Sequence, residues 1–139
     1  MDINYQELIR TALSMRKMSY TPYSHFNVGA ALITKDGEIY TGCNIENASY
    51  TPTNCAERTA FFKAVSEGKR DFAAICIVGG FEDATELEYC PPCGVCRQVM
   101  SEFCGDDFKI ILAKSENEYK EYSFEEVIPF RFGPKDLLG

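Results

Sequence analysis

Residues 72–78 read FAAICIV, a continuous apolar run with the length of a buried strand, and residues 108–113 repeat that character as FKIILA. Between them, Pro91-Pro92 opens a stretch whose apolar residues Val95, Val99, Met100 and Phe103 fall at helical spacing, and Gly105 is placed to end it. This spacing predicts a helix over 93–104. Strand, helix and strand in that order constrain the fold more than any other feature. The two strands must lie parallel in one sheet, joined by a right-handed crossover.

The N-terminal half adds an antiparallel element. Residues 26–33 form a short apolar run with β-branched members, Asp36-Gly37 is a hairpin turn signal, and Ile39, Thr41, Cys43 and Ile45 alternate behind it. A helix is predicted over 4–18, where Tyr5, Leu8, Ile9, Ala12, Leu13 and Met15 recur at helical spacing and Asn4 and Glu7 form a capping pair. Another starts at Asn54, with Ala56, Ala60, Phe61, Ala64 and Val65 on one face and Gly68 as its stop. A weaker strand over 119–124 and a capping box of Ser123 and Glu126, ahead of a short terminal helix, complete the chain. The sheet is expected to be mixed, with roughly five strands. The 139 residues contain no repeat, linker or low-complexity tract, so one three-layer α/β/α domain over residues 1–139 is expected, an α/β fold.

Seven cysteines and a single histidine are the unusual part of the composition. An odd count cannot close entirely into disulfides, and no basic and apolar leader precedes it, so a reducing cytoplasm is the expected location. In that compartment clustered thiols bind metal or carry redox chemistry. The charge, 21 acidic against 14 basic residues for a net −7, comes without a basic run, which argues against nucleic acid as a partner. The longest strongly apolar stretch, 72–81, is about half the length of a membrane-spanning helix, so no membrane is expected either.

The residues that carry chemistry stand at the starts of the two central helices. One start reads Asn54-Cys55-Ala56-Glu57-Arg58 and the other Pro92-Cys93-Gly94-Val95-Cys96-Arg97. Unpaired amides and the helix dipole favour negative charge there, which lowers a thiol's pKa and favours the thiolate that binds metal. Cys55, Cys93 and Cys96 offer three ligands to a zinc ion and leave one tetrahedral position open for water, as catalytic sites require. Zinc makes bound water far more acidic than bulk water. Glu57, two residues after Cys55, is positioned to take the proton.

Each residue also has a plainer reading. Cys93-Gly94-Val95-Cys96 at a helix start is the layout of a redox dithiol, although redox chemistry needs no third helix-terminal thiol followed by a carboxylate. Cys90 competes with Cys93 as a ligand, though two prolines hold it outside the helix. Together with Cys55, Cys93 and Cys96 it would close a purely structural zinc site that has no use for Glu57. Glu57 is also spaced to cap the helix with Asn54. Cys43, Cys76 and Cys104 lie in apolar patterns and read as core thiols, and His25 reads as a solvated loop residue.

Together the two helix starts resemble the zinc nucleoside deaminases, and within them the small three-cysteine cytidine deaminases. The motif is Cys55-Ala56-Glu57 with Pro92-Cys93-Gly94-Val95-Cys96. Similarity extends through Tyr23-Ser24, Phe26-Asn27-Val28-Gly29-Ala30-Ala31-Leu32, Gly42-Cys43-Asn44-Ile45-Glu46-Asn47-Ala48 and Cys96-Arg97-Gln98. Departures are local: Asn27 stands where the family often has proline, Pro91 where serine is common, and residues 82–89 form an individual loop.

The resemblance implies hydrolytic deamination of cytidine and 2′-deoxycytidine to the uridines with release of ammonia, a step of pyrimidine salvage. It implies one zinc per subunit and Glu57 as the catalytic residue. For the substrate it implies Asn44 and Glu46 at the ribose hydroxyls, Phe26 packed on the pyrimidine, and the Ala56 backbone amide at the base carbonyl. Phe132, in Phe132-Gly133-Pro134, matches an aromatic donated by a neighbouring subunit, which implies a homotetramer. An antibiotic-directed relative such as a blasticidin S deaminase is the competing class, and Asn44-Ile45-Glu46 with Phe26 favour the ribose-binding version. Three thiolates around one divalent cation leave a net negative charge that weakens zinc as a Lewis acid. Hydrogen bonds from Arg58 to the thiolates are expected to offset this, with Arg97 as a second candidate.

Overall fold

The computed structural model describes residues 2–139. Its strands are β1 (Phe26–Thr34), β2 (Ile39–Cys43), β3 (Phe72–Phe81), β4 (Lys109–Ser115) and β5 (Glu118–Ser123), ordered β2-β1-β3-β4-β5 in one sheet. β1 pairs antiparallel with β2 and with β3, β3 runs parallel to β4, and β4 pairs antiparallel with β5. The parallel pair is the one that the strand-helix-strand pattern predicts. Because successive residues of a strand face opposite sides, β1 and β3 feed two cores at once. On one side α1 (Tyr5–Met15) sets Leu8, Ile9 and Ala12 against Ala31, Cys76, Val78 and Ile111. On the other, α2 (Ala56–Ser66) and α3 (Gly94–Phe103) bring Ala60, Phe61, Ala64 and Met100 onto Leu32, Ile75, Ile77 and Ile110. Phe61, Phe72, Phe108 and Phe124 are fully buried, each contributing about 2 kcal/mol by removal from water. The layers are the expected α/β/α.

Several boundaries differ from the sequence pattern for local reasons. α1 ends at Met15 and tightens into a 3₁₀ turn over Arg16–Met18 as the chain swings toward β1. β2 stops at Cys43 because the next side chain takes over its ladder. The Asn44 amide accepts from the Val28 N–H at 2.9 Å and donates to the Phe26 carbonyl at 2.8 Å. Ile45 instead bridges Tyr20 and Asn54. The capping box of Ser123 and Glu126 stands ahead of α4 (Phe124–Val127), and a further short helix, α5 (Lys135–Leu138), follows.

One close approach sets the position of α2. A Cβ at Gly42 would stand 2.1 Å from the Ala56 carbonyl oxygen and 2.7 Å from the Ala60 nitrogen. Only a residue without a side chain lets the first turn of α2 rest on β2 at this distance.

Candidate active site

Cys55 is the N-cap of α2 and Cys93 the N-cap of α3, and neither side chain caps its own helix. Both sulfurs are therefore free to face a common point. Cys55 Sγ lies 3.7 Å from Cys93 Sγ, which lies 3.5 Å from Cys96 Sγ, and all three fall within 4.8 Å of one another. Sulfurs held by one tetrahedral zinc at about 2.3 Å stand about 3.8 Å apart, so the donor set fits that ion. Cys90 stays out of the cluster. Its sulfur lies over Gly79 beside the Phe26 ring, and burial pushes its thiol up to about 11, so a closed four-thiol site is not formed.

Glu57, the second residue of α2, is only 4% exposed. Burial pushes its carboxyl up to about 7; the nearby Cys55 charge adds to this, and a backbone hydrogen bond opposes it. The capping pair with Asn54 does not form, because Cys55 occupies the N-cap and the Asn54 amide donates to Thr59 Oγ1 at 3.1 Å. The Glu57 carboxyl is thereby left for chemistry. Arg58 donates through Nη2 to Cys55 Sγ at 3.2 Å. Burial works against the guanidinium charge, but the Cys55 and Cys96 sulfurs outweigh it and hold Arg58 above its ordinary value. Its Nε is buried without a partner. Hydrogen bonding from Cys96, against the cost of burial and with help from Arg58 and Cys93, brings the Cys55 thiol down to about 5. Cys96, as the partner in that bond, is pushed up. Arg97 does not reach a thiol: it donates to the Pro92 and Val127 carbonyls, both at 2.9 Å, and ties the start of α3 to the C-terminal segment.

A family model described as the cytidine and deoxycytidylate deaminase zinc-binding region matches residues 2–112. The chain belongs to this family. Zinc is accordingly its metal, one ion per subunit, and the three-thiol cluster fits it. A cytidine deaminase of Halalkalibacterium halodurans is 49% identical over 132 residues, 95% of this chain and 96% of that one. A cytidine deaminase of Sporosarcina psychrophila is 45% identical over 135 residues, 97% and 96% of the two chains. The crystal structure of cytidine deaminase from Burkholderia pseudomallei matches with a TM-score of 0.83 at 42% identity, covering 94% of this chain and all of that one.

In this member of the deaminase family the residues expected to meet the substrate lie in three places. Phe26 is half-buried, with its ring edge-to-face on Phe81 at 5.2 Å, beside the Asn44 amide that clasps its strand. The Glu46 carboxylate accepts from the Tyr23 and Ser24 amides at 3.0 and 3.1 Å and from the Ser24 hydroxyl, and these bonds, that of the hydroxyl first, hold its pKa below the ordinary value. A cavity of about 420 Å³ opens there, lined by Tyr23, Ser24, Glu46, Asn47, Tyr50 and Thr53. Neither the thiols nor Glu57 line it. Tyr50 and Thr53 have no helical or strand period to single them out in the sequence. Phe132 is exposed, its main-chain carbonyl accepts from the Gln98 side chain at 2.9 Å, and it borders a separate hollow with Gln98 and Glu102. His25 is exposed and faces Glu82 at 3.2 Å.

Proposed function

We propose that this chain catalyses the hydrolytic deamination of cytidine and 2′-deoxycytidine to uridine and 2′-deoxyuridine, as a step of pyrimidine salvage. The observation that carries this reading is the placement of Glu57, a buried carboxyl beside Cys55 and Cys96 of a three-sulfur cluster spaced for one ion. A redox dithiol or a structural zinc site has no use for that group. The cytidine deaminases that match nearly the whole chain support the same substrate.

In this reading Cys55, Cys93 and Cys96 hold the zinc, which supplies Lewis-acid activation of the attacking water. Glu57 takes a proton from that water and passes it to the ring nitrogen beside the amino-bearing carbon, so that the carbon becomes more electrophilic as the C–O bond forms. A second transfer through Glu57 carries the remaining water proton to the amino group. The C–N bond then breaks, ammonia leaves, and the carbonyl of the uridine forms. A carboxyl raised by burial suits such two-way traffic, because it accepts and returns a proton near neutral pH. Arg58 acts as an auxiliary group by drawing charge from Cys55.

Phe26 packs on the pyrimidine in this proposal, and the Ala56 amide, unpaired at the first turn of α2, donates to the base carbonyl. Asn44 keeps one amide proton beyond its bond to Phe26, and Glu46 keeps acceptor capacity beyond Tyr23 and Ser24, so both still have a site for a ribose hydroxyl. The chain works as a cytoplasmic homotetramer in which Phe132 completes a neighbour's pocket. The exposure of Phe130, Phe132, Leu137 and Leu138 supports self-association, and seven unpaired thiols suit a reducing compartment. Among the described residues no helix is long and apolar enough to cross a membrane.

Zinc content measured together with the loss of cytidine absorbance tests the reading. Wild type is expected to be active, and Glu57→Gln to keep zinc and lose about 10³-fold in kcat. A zinc-loaded wild type inert toward cytidine would overturn the activity, and an active Glu57→Gln would overturn the mechanism. Light scattering tests the tetramer.

A further inference from the structure

We propose that Arg16 is a positioning residue for the substrate base, holding the strand ends that carry Phe26. The inference rests on the reading above that Phe26 packs on the pyrimidine.

Arg16 follows the last residue of α1 and sends its side chain across the sheet. Its Nε donates to the Asn27 carbonyl at 3.0 Å, and its Nη2 donates to the Gly80 and Phe81 carbonyls, each at 3.0 Å. In the β1–β3 register Asn27 faces Gly80 and Phe26 faces Phe81, so one guanidinium spans both strands next to the Phe26–Phe81 ring pair. Among the described residues no carboxylate lies within ion-pair distance of Arg16, and the side-chain bonds found for it all go to main-chain carbonyls. A planar fork spreads its donors over a fixed geometry that reaches carbonyls on two strands, whereas the compact ammonium of lysine holds its three donors at one point.

The base of the side chain is fixed as well. α1 presses onto β1 so closely that a Cβ at Gly29 would stand 2.0 Å from the Ala12 carbonyl oxygen and 3.0 Å from the Arg16 nitrogen. Asn44 holds the same strand end from the β2 side, through the Phe26 carbonyl and the Val28 amide. Strand ends fray unless tied, and here the ring proposed to meet the base sits at the end of one. Without Arg16 the Phe26 ring samples a wider set of poses. The zinc ligands and Glu57 lie on α2 and α3, outside the strand ends that Arg16 holds. The loss therefore falls on substrate binding and reaches the ground state and the transition state alike, so KM moves while kcat stays.

The test compares zinc-loaded wild type with Arg16→Lys and Arg16→Met, and with Arg10→Met as a control on an exposed arginine of α1 that pairs with Glu116. Both Arg16 variants are expected to keep zinc and kcat within about threefold, to raise KM for cytidine about tenfold, and to exchange the amides of Phe26, Asn27 and Val28 faster. Arg10→Met is expected to match wild type. A wild-type KM in folded, zinc-loaded Arg16→Met overturns the inference, as does a fall in kcat at unchanged KM. If Arg16→Met does not fold, Arg16→Lys, which keeps the charge and the stem, decides by the same two outcomes. A wild type inert toward cytidine overturns the activity instead, and the amide exchange rates then decide whether Arg16 holds β1.

Discussion

The Arg58 guanidinium donates to the Cys55 sulfur across 3.2 Å, joining the N-cap of α2 to the third residue of the same helix. That spacing returns a side chain over the cap, so the contact is built into one turn and needs no distant support. Arg58→Gln removes the positive charge while keeping a polar group of similar reach. It is expected to lower zinc affinity or kcat about 10- to 100-fold, the usual consequence of removing a group that tunes a metal ligand. Zinc titration and cytidine turnover measured on the same preparation check it, and no change in either would remove Arg58 from the chemistry.

Removal of the metal has its own signature. The Cys55 and Cys93 sulfurs sit 3.7 Å apart and those of Cys93 and Cys96 3.5 Å apart, a spacing at which three thiolates need a cation to compensate their charge. Chelation is expected to abolish activity and lower Tm, because zinc bound only to the folded chain stabilises it by mass action. Zinc should restore both and magnesium neither, since thiolates suit soft cations and magnesium takes oxygen ligands. Full activity in a zinc-free sample would be incompatible with the site.

Much of the fold and the site is legible in the sequence alone, for physical reasons that differ by residue. The β3, α3, β4 crossover follows from period and punctuation confined to residues 72–113. Cys55, Cys93 and Cys96 could be singled out because thiolate chemistry at a helix start is a local property. The hairpin end was misjudged, since alternation from Ile39 to Ile45 cannot reveal that the Asn44 amide imitates a strand and replaces the ladder. The sequence puts Arg58 first and Arg97 second as the partner of the thiolates, since each follows a ligand cysteine closely. What separates them is the Val127 carbonyl, 30 residues along the chain, which draws Arg97 away. The bonds from Ser24 and Tyr23 to Glu46 were invisible for the same reason: they join segments more than 20 residues apart.

Alkaline stability offers a check on the packing of α1 against β5. The Tyr5 hydroxyl donates to Glu121, and burial first, then this bond, pushes the phenol from its ordinary 10 up to about 12. An acid with a raised folded pKa keeps its proton longer when folded. Its contribution is complete below pH 10 and is lost as pH rises through about 12. Tyr5→Phe removes the titrating group, so its unfolding free energy in urea should fall less steeply than that of wild type between pH 10 and 12. Identical slopes would mean that the hydroxyl is free.

Gly42 links the fold to the site most directly. A methyl there would stand 2.1 Å from the Ala56 carbonyl oxygen and 2.7 Å from the Ala60 nitrogen, both backbone atoms that cannot rotate away. Gly42→Ala therefore forces the first turn of α2 off β2. Cys55 and Glu57 flank Ala56 and must move with it, whereas Cys93 and Cys96 stay on α3. Overpacking of this kind costs about 1 to 3 kcal/mol, and a displacement near 1 Å at a reacting centre costs about 10²-fold in rate. The variant is expected to unfold at lower temperature, to release zinc more readily, and to lose kcat by about 10²-fold. Gly105→Ala is the control, because a Cβ there meets only an ordinary contact with Asp107 at 3.5 Å. Wild-type zinc affinity and kcat in folded Gly42→Ala would mean that something other than its seat on β2 sets the position of α2.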